Sequence, residues 1–151
     1  MLSNYSIQKM QQSQYQSKVR VYNNQQRKLE QRQNIMIFKY DNSRNLNRVS
    51  FNNSESPLHN YSKFVVGMVL KQNKIDFVTE FKLSSGKEVD IFDIDNQIFI
   101  EVQKANFEKK LSNYQRELDL GIVNDIFIIP LDDFIGNLNE DLVMIKEKLG
   151  I

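Results

Sequence analysis

Asp90 and Glu101 are the residues in this chain whose spacing most directly implies chemistry. They lie in the strand-like runs Glu88–Ile94 and Gln97–Val102, separated by Asp95-Asn96, which reads as a two-residue hairpin turn. Pairing across that turn sets Ile94 opposite Gln97, Phe92 opposite Phe99 and Asp90 opposite Glu101. Directly opposed residues on one sheet face have Cβ atoms about 4.5–5.5 Å apart, and like charges there destabilise a sheet. A divalent cation between the two carboxylates is the simplest way to relieve that repulsion.

Other polar residues converge on the same pattern. Glu101 and Gln103 alternate onto one face of their strand, and Glu88 and Asp90 share it on the other. Magnesium takes hard oxygen ligands, so Asp90, Glu101 and the Val102 carbonyl would form a partial shell. Glu80, on the preceding strand-like run, is a third acid for direct or water-mediated contact. Such an ion would stabilise charge on a phosphodiester. The alternative for the same residues is a solvated, charged sheet face, and one loop residue more or less would change the register.

Positioning these acids requires an ordered set of elements. Ser56-Pro57 is a helix N-cap followed by proline at the first helical position. Tyr61, Val65, Met68 and Val69 then form an apolar stripe, and that helix should end near Asn73. Strands follow over Ile75–Leu83, Glu88–Ile94 and Gln97–Val102, with a turn at Ser84-Ser85-Gly86-Lys87. Asn106 can cap a helix over 107–120, striped by Phe107, Leu111, Tyr114 and Leu118, with Gly121 as its stop. Asp125–Ile129 reads as a buried strand ended by Pro130. Asn137 with Glu140 opens a last helix through Leu138, Leu142, Ile145 and Leu149. The helix at 107–120 makes a crossover, so the third and fourth strands should run parallel. The expected class is α/β, an αβββαβ core with a central mixed sheet flanked by helices.

Composition bounds the rest. The chain has 151 residues, no cysteine and one histidine, which excludes disulfides, thiolate metal sites and zinc sites built from several histidines. No apolar run approaches bilayer length and the N-terminal residues show no apolar signal region, so a soluble, intracellular protein of cytoplasm or nucleus is expected, without a membrane partner. Residues 1–56 carry nine Lys/Arg and three Asp/Glu, and residues 57–151 carry eleven and sixteen, so +6 is joined to −5. We therefore divide the chain at 1–53, a basic Gln/Asn-rich arm, and 54–151, the core. The arm is read either as a helix over about 12–32 followed by short strands at Ile35–Tyr40 and Arg48–Phe51, or as a low-complexity tail. Its charge suits a polyanion.

Element order and acids together resemble the PD-(D/E)xK nuclease superfamily, with Asp90 on the second strand and Glu101-Val102-Gln103 on the third. The resemblance covers about 56–131. Within the superfamily the chain is most similar to CoiA-like nucleases, through Ser56-Pro57-Leu58-His59 with Lys63, then Glu80, Asp90, Glu101-x-Gln103 and Tyr114/Arg116; archaeal Holliday-junction-resolvase-like nucleases come next. The resemblance implies a restriction-endonuclease-like fold and a Mg²⁺- or Mn²⁺-dependent DNA endonuclease. Asp90 and Glu101, with Glu80, would ligate the metal, and Gln103 would position water. His59, Lys63, Lys87, Lys104 and Arg116 are the expected nucleic-acid contacts, made through backbone phosphates. Cutting both strands needs two active sites, which would call for a homodimer. Two departures stand out. Gln103 occupies the place of the motif lysine and carries no charge, and the cysteine-bearing zinc element of CoiA-like proteins is missing. The first departure favours the alternative expectation, a catalytically inactive nucleic-acid-binding or assembly module on the same fold.

Overall fold

The computed structural model describes residues 46–83, 85–104 and 107–151. The expected helix within 12–32, the strand at Ile35–Tyr40, Ser84 of the first turn and the cap at Asn106 lie outside the described residues.

Helix α1 spans Pro57–Gln72. The Ser56 hydroxyl accepts from the His59 N–H at 3.1 Å, and Pro57 fills the first turn where no intrahelical donor is needed. Strands β1 (Phe77–Lys82), β2 (Glu88–Asp93) and β3 (Ile98–Gln103) form an antiparallel meander. Helices α2 (Phe107–Asn113) and α3 (Gln115–Asp119) lead to β4 (Asp125–Pro130), which lies parallel to β3. A 3-10 turn at Leu131–Asp133 precedes α4 (Leu138–Leu149). The Asn137 side chain caps α4 by accepting from the Glu140 N–H, and Gly150 ends it at φ 72°. The fold is α/β: a four-stranded mixed sheet in the order β1-β2-β3-β4 with flanking helices.

Two apolar layers sandwich the sheet. On one face Val65, Val66, Val69 and Leu70 of α1 meet Ile91, Ile98, Ile100, Val102 and Ile145. On the other, Phe81, Phe92, Phe99 and Tyr114 form a chain of ring contacts, the first tilted and the next two edge-to-face, with centroids 5.0–5.4 Å apart. The continuous apolar run of β4 follows from this: Ile126 belongs to the second layer, and Phe127 and Ile129 to the first.

The anticipated 107–120 helix is interrupted. Tyr114 adopts φ −112° and ψ 11°, which separates α2 from α3. Tyr114 is buried, and its hydroxyl reaches down to the sheet, donating to the Glu88 carbonyl at 3.0 Å. Arg48–Phe51, expected as a strand, is an irregular segment beside β1. Its bonds are mostly through side chains: the Thr79 hydroxyl accepts from the Ser50 N–H at 2.8 Å, and Asn47 bonds both Asp76 and Phe77. Side-chain partners replace the ladder that a strand would need.

Candidate metal centre

The hairpin register holds from Asp93 and Ile98 onward, but the expected two-residue turn with Ile94 opposite Gln97 is a four-residue turn over 94–97, with Gln97 at φ 52°. Ile91 pairs with Ile100, Phe92 with Phe99 and Asp93 with Ile98. Asp93 fixes the turn by accepting from the Asn96 N–H at 2.9 Å and from its side-chain amide at 2.8 Å. One step further along this register stand Asp90 and Glu101, and there the ladder stops. β2 remains paired to β1 as far as Glu88, and β3 to β4 as far as Gln103. The sheet therefore opens between its two central strands where the acids sit. The Asp90 carboxylate takes over the freed Val102 N–H at 2.8 Å.

Strand β1 departs from regularity at the same level. Glu80 has φ 53°, a left-handed conformation costly for a side chain with a Cβ. The β1–β2 ladder skips the 80/90 pair, and Val78 and Phe81, three apart, both enter the second core layer. Regular alternation would have sent them to opposite faces. Backbone strain and an interrupted ladder thus coincide with the acidic positions.

A polar network crosses the fold at this opening. His59 Nε2 of α1 lies 3.2 Å from Asp90 Oδ2 and 3.8 Å from Glu55 Oε1. Lys63, fully buried, places its ammonium 2.6 Å from Glu55 Oε2 and in a hydrogen bond with Glu80. On the other side of Asp90, Glu101 is fully buried; its Oε1 accepts from the Tyr114 hydroxyl and its Oε2 lies 3.3 Å from Lys110 Nζ. Beside Glu80 a cavity of about 470 Å³ opens among Phe51, Asn53, Glu80, Lys82 and Glu88.

The protonation states follow from these contacts. Burial alone would raise Asp90, but the bonds to His59, to Glu101 and to the Val102 N–H outweigh it and hold Asp90 below the usual carboxylate range. Glu101 is pushed up to about 8 by burial, by the Asp90 charge and by its hydrogen bond to Asp90, against the Tyr114 hydroxyl and Lys110. At neutral pH the pair is one carboxylate and one carboxylic acid sharing a proton. His59 is raised, chiefly by its bond to Asp90. Burial raises Glu80, helped by Glu88 and opposed by Lys63.

The donor set fits a divalent cation. One ligand atom from each of Glu55, His59 and Asp90 lies within 4.8 Å of the others, a span compatible with a single ion. Glu101 Oε2 and Glu55 Oε2 are buried, and each faces only a lysine ammonium, Lys110 at 3.3 Å and Lys63 at 2.6 Å. Each oxygen has a second lone pair that a metal cation could use.

Of the residues singled out from sequence, Asp90, Glu101, His59 and Lys63 come together here, with Lys63 fully buried between Glu55 and Glu80 rather than open to a phosphate. Glu80 joins through Lys63 and Glu55 rather than by facing Asp90 alone. Lys87 is engaged elsewhere: it donates to the Asn113 carbonyl, sits 3.7 Å from Glu117 and lies 5.7 Å from the Tyr114 ring centroid. Lys104 and Arg116 are exposed, and Gln103 ends β3 half-buried beside Pro130. Sequence reasoning missed Glu55, which sits in a polar stretch read as linker, and Lys110. The only signal for Glu55 is its spacing of four from His59, one helical turn along the approach to α1. Among the described residues no helix is long and apolar enough to cross a membrane. No protein-family model, no curated protein and no solved structure matches this chain.

Proposed function

We propose that the protein is a divalent-metal-dependent DNA endonuclease. The observation that carries this reading is the buried Asp90–Glu101 pair at the opening of the sheet, where two acids share a proton that a cation would replace. Asp90 and Glu101 would hold Mg²⁺ or Mn²⁺; Asp90 also clusters with Glu55 and His59 on its other side. The ion would supply Lewis-acid stabilisation of charge on a phosphodiester. Glu80 acts at one remove, by fixing Lys63 and through it Glu55. Gln103, at the lip of the opening, would orient a water. Exposed Lys104 and Arg116 and the basic N-terminal part would bind the DNA backbone, with an affinity that falls steeply with salt. A homodimer would let two sites cut opposite strands.

The second reading is a non-catalytic nucleic-acid-binding module, favoured by Gln103 where the resemblance expects a lysine. Incubation with branched, linear and single-stranded DNA in Mg²⁺ or Mn²⁺ separates the two. Cleavage by the wild type, lost in both Asp90→Ala and Glu101→Ala, is the expected result. Cleavage that survives both substitutions sinks the enzyme reading, and DNA binding without cleavage transfers the case to the module.

A further inference from the structure

We propose that Lys110 is the cation that serves Glu101: its ammonium stands against the buried Glu101 carboxyl in the metal-free chain and, with a divalent ion at the acid pair, would supply positive charge to the scissile phosphate. This rests on the nuclease reading above. Gln103 cannot supply that charge, so the question is which other cation reaches the acids. Lys63 does not qualify, because its ammonium is fully buried and clamped between Glu55 and Glu80. Lys87 is held by the Asn113 carbonyl, Glu117 and the Tyr114 ring. Lys104 and Arg116 are exposed and form no ion pair among the described residues. Lys110 alone of these five sets its ammonium against the acid pair, 3.3 Å from Glu101 Oε2.

Its placement suits exchange. The Lys110 side chain is 25% exposed while the Glu101 side chain is fully buried, so one end of the contact faces solvent. At 3.3 Å the contact is looser than the 2.6 Å pair that clamps Lys63 to Glu55. A divalent ion on Oε2 would repel the ammonium, which the flexible lysine stem can swing outward to a phosphate oxygen. A cation positioned at a developing phosphoryl charge accelerates transfer strongly, and loss of one such group typically costs about 10²–10³ in turnover.

Two effects of opposite sign result, and a merely structural lysine would produce neither. Lys110→Met should lower kcat for DNA cleavage about 100-fold with little change in KM. It should also tighten Mn²⁺ binding several-fold in calorimetry, because an ammonium opposes a doubly charged ion more than it opposes the proton that ion replaces. Lys110→Arg should recover part of the turnover. A Lys110→Met chain that cleaves at the wild-type rate, or that loses Mn²⁺ as Asp90→Asn does, overturns the assignment while leaving the nuclease reading intact. A wild type that binds Mn²⁺ and cleaves no DNA overturns both.

Discussion

Replacing Glu101 with glutamine should stabilise the metal-free protein and abolish its response to metal. Glu101 is fully buried against the Asp90 charge, and its carboxyl is pushed up from 4.5 to about 8. A group raised on folding contributes fully below its unfolded value, and that contribution is lost as pH climbs to the folded one. The loss therefore runs from about pH 4.5 to about pH 8, and at about 1.4 kcal/mol per unit it reaches at most about 5 kcal/mol. Because Asp90 titrates with it, about 2–4 kcal/mol is the working figure. Glutamine cannot ionise, accepts from Tyr114 through the same oxygen and can donate to Asp90. Glu101→Gln should thus melt roughly 5–15 °C higher than wild type at pH 8 without metal, at roughly 2–4 °C per kcal/mol. The gap should close towards pH 5. Adding Mn²⁺ should raise the wild-type melting temperature and leave the variant's unmoved. Scanning calorimetry at pH 5, 6.5 and 8, with and without Mn²⁺, reads all three effects. A variant less stable than wild type at pH 8, or one still stabilised by Mn²⁺, would refute the reasoning, since both expectations rest on one premise: a buried acid that costs stability when ionised and that the proposed metal site requires.

The remaining expectations concern the frame around the pair. Lys63→Met leaves Glu55 and Glu80 without their shared buried cation and should destabilise by about 3–5 kcal/mol in urea unfolding, far more than an exposed charge would. Tyr114→Phe removes the hydroxyl whose single proton lies between Glu101 and the Glu88 carbonyl, and should cost about 1–3 kcal/mol in the same assay. Gly67→Ala brings a methyl within 2.7 Å of Val49 Cγ2 and 3.2 Å of the Phe77 ring; the overpacking should cost about 1–3 kcal/mol by thermal melt. Tyr61 is raised to about 12 by burial, by its bond to Asp141 and by the Asp141 charge. Its contribution is complete below about pH 10 and lost as pH climbs to about 12, so Tyr61→Phe should flatten that alkaline limb of the stability profile.

Much of this was legible without coordinates because it depends on local chemistry. Ser56-Pro57 and Asn137 with Glu140 act within one helical turn, so their types alone mark where α1 and α4 begin. The 92/99 register is equally local: side chains alternate with period two, so a one-residue slip would have turned Phe92 and Phe99 out of their layer. Asp90 and Glu101 follow from that register. What the linear pattern could not supply is everything joined across elements. Glu55 reads as part of a polar linker until α1 docks on the sheet and carries it to Lys63 and His59. Lys110 looks like one more solvated helix residue until α2 leans over Glu101. The left-handed turn of Glu80 and the break at Tyr114 are set by partners distant in sequence, as is the opening of the sheet between β2 and β3. Periodicity reports which face a residue takes, but only tertiary packing decides which charges are forced to share a buried space. That crowding, rather than the presence of the acids, is what makes this place in the fold a candidate for chemistry.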